Sequence, residues 1–510
     1  MSLPALNLPT HHTPCPHCLS YGFKKTLSRV ARTPTTTPCK KCHAIGILPS
    51  TTPPLPPPLP GYTTGTLIIG TGIAGPALSL SLSHRSIPTL LLDADESGAD
   101  RSQGYGLTLQ QSVTAMRGLG FTWDGSKGNY ERGEWLYSER HVVMREEGTF
   151  VGEWGARKHS GEPGKKQGGA KMGSGDGSKH NVHVSRNNLR GVFVEQVAAR
   201  IRWGEKVVSI ERLTEEERQA KKRELILVDD DGDSRGCDAG GCDWERTVMK
   251  VTTAANHAYY ANIIVGCDGI RSRTREILAP KAKLQFLGVF VMLGITEVMP
   301  GSADLFDFKT VFQTSDGAVR FYSMPFDTTR YMWQLSFKIE EEEGKLLQGK
   351  GKEGMLEHAR RLCGGWHEEV ATLLRDTPSA DVTGYNVYDR EVAEDLRREG
   401  GGAMTCIGDA AHPMSPFKGQ GANQAIVDSL ELGRELYRYM NQTKGTKDPG
   451  GEALEEVLGA FEASMFKRAG VKVRKSREAC GFLHDPEVVL NEGNVTRGGI
   501  NESLKKQKQS

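Results

Sequence analysis

Three groups of residues in this 510-residue chain could do chemistry by type and spacing. The first is a pair of cysteine knuckles, Cys15-Pro-His-Cys18 and Cys39-Lys-Lys-Cys42, with twenty residues between them. Four thiolates at this spacing can surround zinc tetrahedrally, and so short a segment cannot fold on a hydrophobic core alone. The second is Gly70-Thr-Gly72-Ile-Ala-Gly75, which follows the apolar run Thr66-Leu-Ile-Ile and opens an apolar stretch through Leu82. Glycines between a strand and a helix let backbone N–H groups approach a pyrophosphate. Asp93, 23 residues after Gly70 and at the end of a second apolar strand, can accept from ribose hydroxyls. The third runs from Gly408-Asp409 to Gly421-Ala422-Asn423. It reads as a short strand, a turn and a helix start that present a carboxylate and backbone donors to a ligand.

Patterning places the elements that must position these groups. Residues 1–48 form the cysteine module, and 49–63 form a stiff proline-rich linker. Residues 64–285 and 380–440 make a discontinuous nucleotide-binding domain, with a Gly-, Lys- and Ser-rich insertion at 155–180. Gly173-Ser-Gly175 in that insertion lacks a preceding strand, so the chain has one dinucleotide fingerprint. The acidic run at 229–246 lacks calcium-loop spacing and reads as a solvated hairpin tip. Residues 286–379 alternate apolar and polar positions as an antiparallel sheet does, with Arg320, Tyr322 and Gln334 as pocket candidates. Glu340 to Lys352 reads as a charged insertion, and 453–482 as a C-terminal helix.

Lys+Arg 65 against Asp+Glu 63 leaves a formal charge of +2, so no global field favours nucleic acid. No apolar run of about 18 residues appears, and the amino terminus lacks a basic segment followed by an apolar one. The expectation is an intracellular, cytoplasmic protein with neither membrane nor nucleic acid as partner.

Gly70-x-Gly-x-x-Gly75, Ser185-Arg186-x-x-Leu189, Asp268-Gly269-x-x-Ser-x-x-Arg275 and Gly408-Asp409-Ala-Ala-His-Pro413, the last with Pro416-x-x-Gly-Gln-Gly-x-Asn423, occur in this order. Together they resemble the single-component FAD-dependent aromatic hydroxylases, the salicylate-hydroxylase-like class A flavin monooxygenases, over residues 64 to 482. The resemblance implies a mixed α/β and antiparallel β fold, a Rossmann-like FAD-binding domain interleaved with a substrate-binding sheet domain. It implies FAD as cofactor, with Asp93 on the adenosine ribose, Gly106 and Arg186 at the cofactor, and Asp268-Gly269 serving FAD and incoming NADPH. Asp409 would bind ribitol, with Gly421, Ala422 and Asn423 supporting the isoalloxazine. The implied reaction consumes NADPH and O2 and hydroxylates a small aromatic or polycyclic metabolite through a flavin C4a-hydroperoxide. An epoxidase or dehydrogenase on the same fold is an alternative, as is a flavin-binding regulatory protein. His412 is expected to shape the turn, and no catalytic side chain is named. Cys39 to Gly46 also resembles the zinc repeats of J-type co-chaperones, which implies zinc holding and nothing further; a protein partner recruited by the module belongs to the regulatory alternative.

Overall fold

The computed structural model describes residues 11–27, 34–50, 64–98, 105–121, 123–124, 129–130, 136–155, 182–220, 249–281, 283–392, 402–443, 452–496 and 499–500. Most of the proline-rich linker, the insertion after Gly155 and the acidic run at 229–246 lie outside them.

Thr64–Ile69, Thr89–Leu92 and Ala258–Gly266 are short runs of buried aliphatic residues, the pattern of strands covered on both faces, and they pair in parallel. The sheet runs Ile201–Arg202, Thr89–Leu92, Thr64–Ile69, Ala258–Gly266, Met249–Thr253, Val207–Arg212, and Met404–Cys406 also pairs with Ala258–Gly266. The carboxyl ends of Thr64–Ile69, Thr89–Leu92, Ala258–Gly266 and Met404–Cys406 carry Gly70, Asp93, Cys267-Asp268 and Gly408-Asp409 respectively. Distant motifs therefore meet at one edge, where ligands bind in open α/β sheets.

The second sheet is ordered Phe150–Gly155, Arg140–Met144, Thr310–Ser315, Val319–Pro325, Arg330–Lys338, Gln285–Glu297, Thr383–Asp389. It reaches beyond residues 286–379, because Arg140–Met144 pairs in parallel with Thr310–Ser315 and Thr383–Asp389 pairs with Gln285–Glu297. The charged stretch from Glu340 forms helices Glu341–Gly349 and Gly351–Cys363. They bury Leu347, Met355, Leu356, Ala359 and Cys363 against the sheet, so charge on the solvent face hid an amphipathic pattern.

Helix Gly421–Gln442 packs against helix Ala74–Ser83. The 31-residue helix Glu452–Phe482 packs along Gly421–Gln442, bonds Thr405 of the first sheet through Glu462 and reaches strand Gln285–Glu297 of the second. Arg477 on that helix donates to both Asp389 oxygens at 2.8 Å, a bidentate pair that ties it to the second sheet. Among the described residues no helix is long and apolar enough to cross a membrane.

The cysteine module is two hairpins, His11–Pro14 with Ile47–Ser50 and Phe23–Leu27 with Pro34–Pro38. Its knuckles clasp reciprocally: Cys15 N–H donates to Gly46 O at 2.9 Å, and Cys39 N–H donates to Gly22 O at 2.7 Å. Gly22 (φ +79°) and Gly46 (φ +93°) are required by geometry, since a Cβ would lie 2.1 Å from Ala44 O and 2.3 Å from Ser20 O.

Candidate functional site

The glycine loop is held from behind. Asp93, 2 % exposed, accepts from Thr71 N–H (2.5 Å), Thr71 Oγ1 (2.6 Å) and Asp95 N–H (2.9 Å), so its carboxylate also builds the loop at whose edge a ribose would sit. Arg190 donates to Thr71 O (2.7 Å), Thr71 Oγ1 (3.2 Å) and Gly98 O (2.7 Å). Sequence reasoning passed over Arg190, although it follows Arg186 by four residues on the helix Arg186–Val197 and so shares its face. Arg186 lines the cavity beside Tyr105, its guanidinium 5.8 Å from the ring centroid.

The three loop glycines differ in kind. At Gly70 (φ +102°) a Cβ would meet Cys267 O at 2.5 Å, and at Gly75 it would meet Gly70 O at 2.0 Å. At Gly72 it would meet no protein atom within 4 Å. Space without a protein neighbour at the middle glycine, beside the uncapped start of helix Ala74–Ser83, fits a pyrophosphate drawn close to the backbone. Gly269 (φ +77°) is equally open. Asp268 beside it accepts from Ser272 Oγ (2.5 Å), Thr274 N–H (3.1 Å) and Thr274 Oγ1 (3.2 Å), and so braces the start of helix Arg273–Leu278.

The Gly408–Asn423 stretch completes the cradle. Asp409 turns its accessible surface into the cavity and makes no side-chain hydrogen bond among the described residues. The surrounding protein still desolvates it and raises its carboxyl pKa, against the opposing fields of His412, Arg186 and Arg275. Gly421 lies beside it, since an added Cβ would approach only Asp409 Oδ1, at 3.5 Å. Asn423, fully buried, is saturated: Oδ1 accepts from Gln110 N–H (2.8 Å) and Ser112 Oγ (2.7 Å), and Nδ2 donates to Thr108 O and Gly419 O, both at 2.8 Å. It staples the helix to the strand Gly106–Leu109, with no polar atom left over for a ligand. Ala422 and Gly106 both line the cavity.

His412 shapes the turn from within the core. It is fully buried, with Nε2 2.7 Å from Asp428 Oδ2, which also accepts from Gly408 N–H at 2.9 Å. Burial pushes the Asp428 carboxyl up, but His412, Arg468 and the Gly408 amide outweigh it and hold it low. Arg275 ties this turn to the Asp268 loop by donating to Ala410 O (2.9 Å) and Ile270 O (2.5 Å).

Beyond the cradle one cavity of about 1130 Å³ continues to the second sheet, past Tyr322, Met324, Met332, Tyr385 and Phe417. Burial raises both phenols, Tyr322 to about 12, so each stays an O–H donor at neutral pH. His141, stacked on Trp154 at 5.0 Å, is lowered to about 4 by burial and stays neutral. Arg320, 5 % exposed, donates from Nε to Gln313 Oε1 at 2.7 Å, while its Nη1 and the Gln313 Nε2 have no partner.

The sequence profile described as "FAD binding domain" matches residues 207–447. The chain is therefore similar to FAD-dependent monooxygenases. It is 27% identical over 230 residues to 3-amino-4-hydroxybenzoate 2-monooxygenase of Streptomyces cremeus, covering 44% of this chain and about half, 51%, of that relative. It is 22% identical over 472 residues to a probable FAD-dependent monooxygenase of Arthroderma benhamiae, covering 86% of this chain and 96% of the relative. HpxO of Klebsiella pneumoniae, solved in complex with FAD, has the same fold, with a TM-score of 0.62 at 15% identity over 87% of this chain and 97% of that one. For this flavoprotein chain the mixed fold expected from the motifs therefore stands.

The four cysteines also converge. Their sulfurs lie within 4.8 Å of one another, all buried. Cys18 and Cys42 sulfurs are 3.6 Å apart and Cys15 and Cys39 4.0 Å apart, bracketing the roughly 3.8 Å edge that Zn–S bonds of about 2.3 Å give in a tetrahedron. Gly22 and Gly46 N–H groups donate to Cys18 and Cys42 Sγ at 3.2 Å each, which suits thiolates.

Proposed function

We propose that this chain is an FAD-dependent, NADPH-consuming monooxygenase that hydroxylates a small aromatic metabolite, with a structural zinc in its amino-terminal module. The observation that carries this reading is continuity: one cavity joins the Gly72 and Asp409 cradle to an aromatic-walled chamber. Bound FAD would supply electron transfer and oxygen activation. The protein's part is to orient and enclose. Asp409 would accept from the ribitol, Gly72 and Gly269 would yield space, and the chamber would keep water from the reacting atoms. Of the two described histidines nearest the site, His412 is buried with Asp428, and burial lowers His141 to about 4, which makes it a weak base. A substrate that is already electron-rich suits such a chamber. A single dinucleotide fingerprint favours transient NADPH docking over a second nucleotide domain.

Purified protein should be yellow, electron-rich phenols should accelerate its NADPH oxidation, and labelled dioxygen should appear in the product. Protein that cannot be loaded with FAD, or product oxygen drawn from water, would overturn the reading. The same product analysis separates a phenol from an epoxide.

Arg320 and Gln313 supply the polar end of the chamber. An unpaired Nη1 beside an unpaired amide suits an oxygen substituent on the ring, and one hydrogen bond to a charged donor contributes about 1.5–3 kcal/mol. Arg320→Met should raise the substrate KM at least about tenfold while FAD content is unchanged. An unaltered KM would remove Arg320 from substrate binding.

A further inference from the structure

The cysteine module is seated on the helix that starts at the flavin site. Tyr21 Oη donates to Glu435 at 3.1 Å, the Arg438 guanidinium lies 5.2 Å from the Tyr21 ring centroid, and Arg434 Nη2 donates to Ile45 O at 3.0 Å. His12 packs edge-on against His84 at 4.9 Å. Glu435, Arg438 and Arg434 all belong to Gly421–Gln442, whose first turn is the Gly421–Asn423 wall of the cofactor cradle.

Beneath this contact lie two guanidinium groups with too little negative charge around them. Arg85 is 2 % exposed. It donates from Nη1 to Ser81 O (2.6 Å) and Ser81 Oγ (3.0 Å), while its Nε and Nη2 have no partner among the described residues. The Nε of Arg434 is likewise buried without one. The charged or ionisable groups in the field of Arg85 are Arg434, Tyr437 and Cys18, and those facing Arg434 are Glu431, Cys18, Cys42 and Tyr21. Glu431 also pairs with Arg468 at 2.7 Å, so the carboxylate in the field of Arg434 is shared with another guanidinium. Burial and the neighbouring Arg434 depress Arg85 to about 9, the mark of a cation short of compensation. Two like charges, one fully and one partly buried, are costly without a counter-charge. Four thiolates around a divalent ion carry a net charge of two minus, and both arginines face that cluster.

We propose that the metal-thiolate cluster is the counter-ion of Arg85 and Arg434, so that metal binding clamps the module onto the cofactor helix. The proposal rests on the zinc reading above and extends it from a local clip to a part of the flavin domain's stability. Linkage makes the effect reciprocal: if the metal stabilises the arginines' burial, the arginines must tighten the metal. A module that only recruited a partner would have no need of them.

The test uses the full-length FAD-loaded protein. Zinc is titrated against a chromophoric chelator, and flavin fluorescence is followed on heating before and after zinc removal. The parent should hold one zinc per chain, and removal should lower the flavin-release temperature by several degrees. Arg434→Met, and separately Arg85→Met, should bind zinc at least about tenfold more weakly and respond less to its removal. Arg434→Lys, which keeps the charge, should restore most of the affinity. Because Arg85→Met sits in the core, the partly exposed Arg434 position decides the matter if that variant does not fold. Parent protein that binds no zinc overturns the metal reading itself. Zinc bound with equal affinity in parent and Arg434→Met, or a flavin-release temperature indifferent to zinc, overturns the clamp. Zinc stoichiometry and flavin release are read without turnover, so a failure of NADPH oxidation falls on the activity reading alone.

Discussion

Gly72→Ala should fold and purify colourless, whereas Gly75→Ala should lose both flavin and stability. The two glycines stand three residues apart in one loop, but their surroundings demand opposite outcomes. At Gly75 the added methyl would sit 2.0 Å from the Gly70 carbonyl oxygen, a backbone atom that the Thr64–Ile69 strand and the Gly70 N–H to Leu92 O bond (2.8 Å) hold in place. The helix must move or the loop must open. The cost is on the order of 3 kcal/mol, the upper range for overpacking, or roughly 6–12 °C in the apoprotein's melting temperature. At Gly72 the methyl meets nothing, so the apoprotein's stability should change by less than about 0.5 kcal/mol. The same methyl occupies the space a pyrophosphate would fill, and FAD affinity should fall at least about tenfold. Apoprotein melting and FAD titration on the two variants check this. A Gly72→Ala protein with normal FAD affinity would mean that the open space at the loop is not the pyrophosphate site.

That contrast also marks how far the sequence could be read. Strand, glycines, helix and acid occur in an order that forces a close backbone approach, so the loop and its placement at a strand end were legible from periodicity and glycine spacing. The same holds for the four cysteines, whose recurring Cys-x-x-Cys-x-x-x-Gly spacing is what lets each knuckle's glycine close on the other. Which polar groups remain free for a ligand was not legible. Asp93, Asp268 and Asn423 all fall at motif positions, yet their oxygens are engaged by Thr71, by Ser272 and Thr274, and by Gln110 and Ser112. The bonds of Asn423 join residues up to 313 positions apart, which no local pattern encodes. Arg190 and the Arg85–Arg434 pair were missed for a related reason. A buried arginine looks like any surface arginine until the element it lies beneath is known. The reach of the second sheet into Arg140–Gly155 was hidden by a parallel pairing between strands more than 160 residues apart.

Asp409 is a motif carboxylate with no side-chain hydrogen bond among the described residues, and replacing it should separate cofactor binding from stability. The surrounding protein raises its carboxyl above the usual value of 3.8, chiefly by desolvation. A folded-state pKa above the unfolded one favours folding while the group is protonated, and that contribution is lost as pH rises from about 3.8 through the raised value. At neutral pH the apoprotein therefore carries an ionised carboxylate that opposes folding. Asp409→Asn removes that penalty: the apoprotein should be as stable as the parent or more so at pH 7, and its stability should fall less steeply as pH rises above the usual carboxylate range. FAD binding should respond in the opposite sense. A hydroxyl bound to a carboxylate contributes about 1.5–3 kcal/mol, so losing the charged acceptor should weaken FAD roughly ten- to a hundredfold. Apoprotein melting against pH, paired with FAD titration, reads both effects. A variant less stable than the parent at pH 7 would show that Asp409 has a structural partner after all, and undiminished FAD affinity would take the ribitol away from Asp409. The opposed signs follow from placing at the cavity wall a carboxylate that the surrounding protein desolvates and that makes no side-chain hydrogen bond among the described residues.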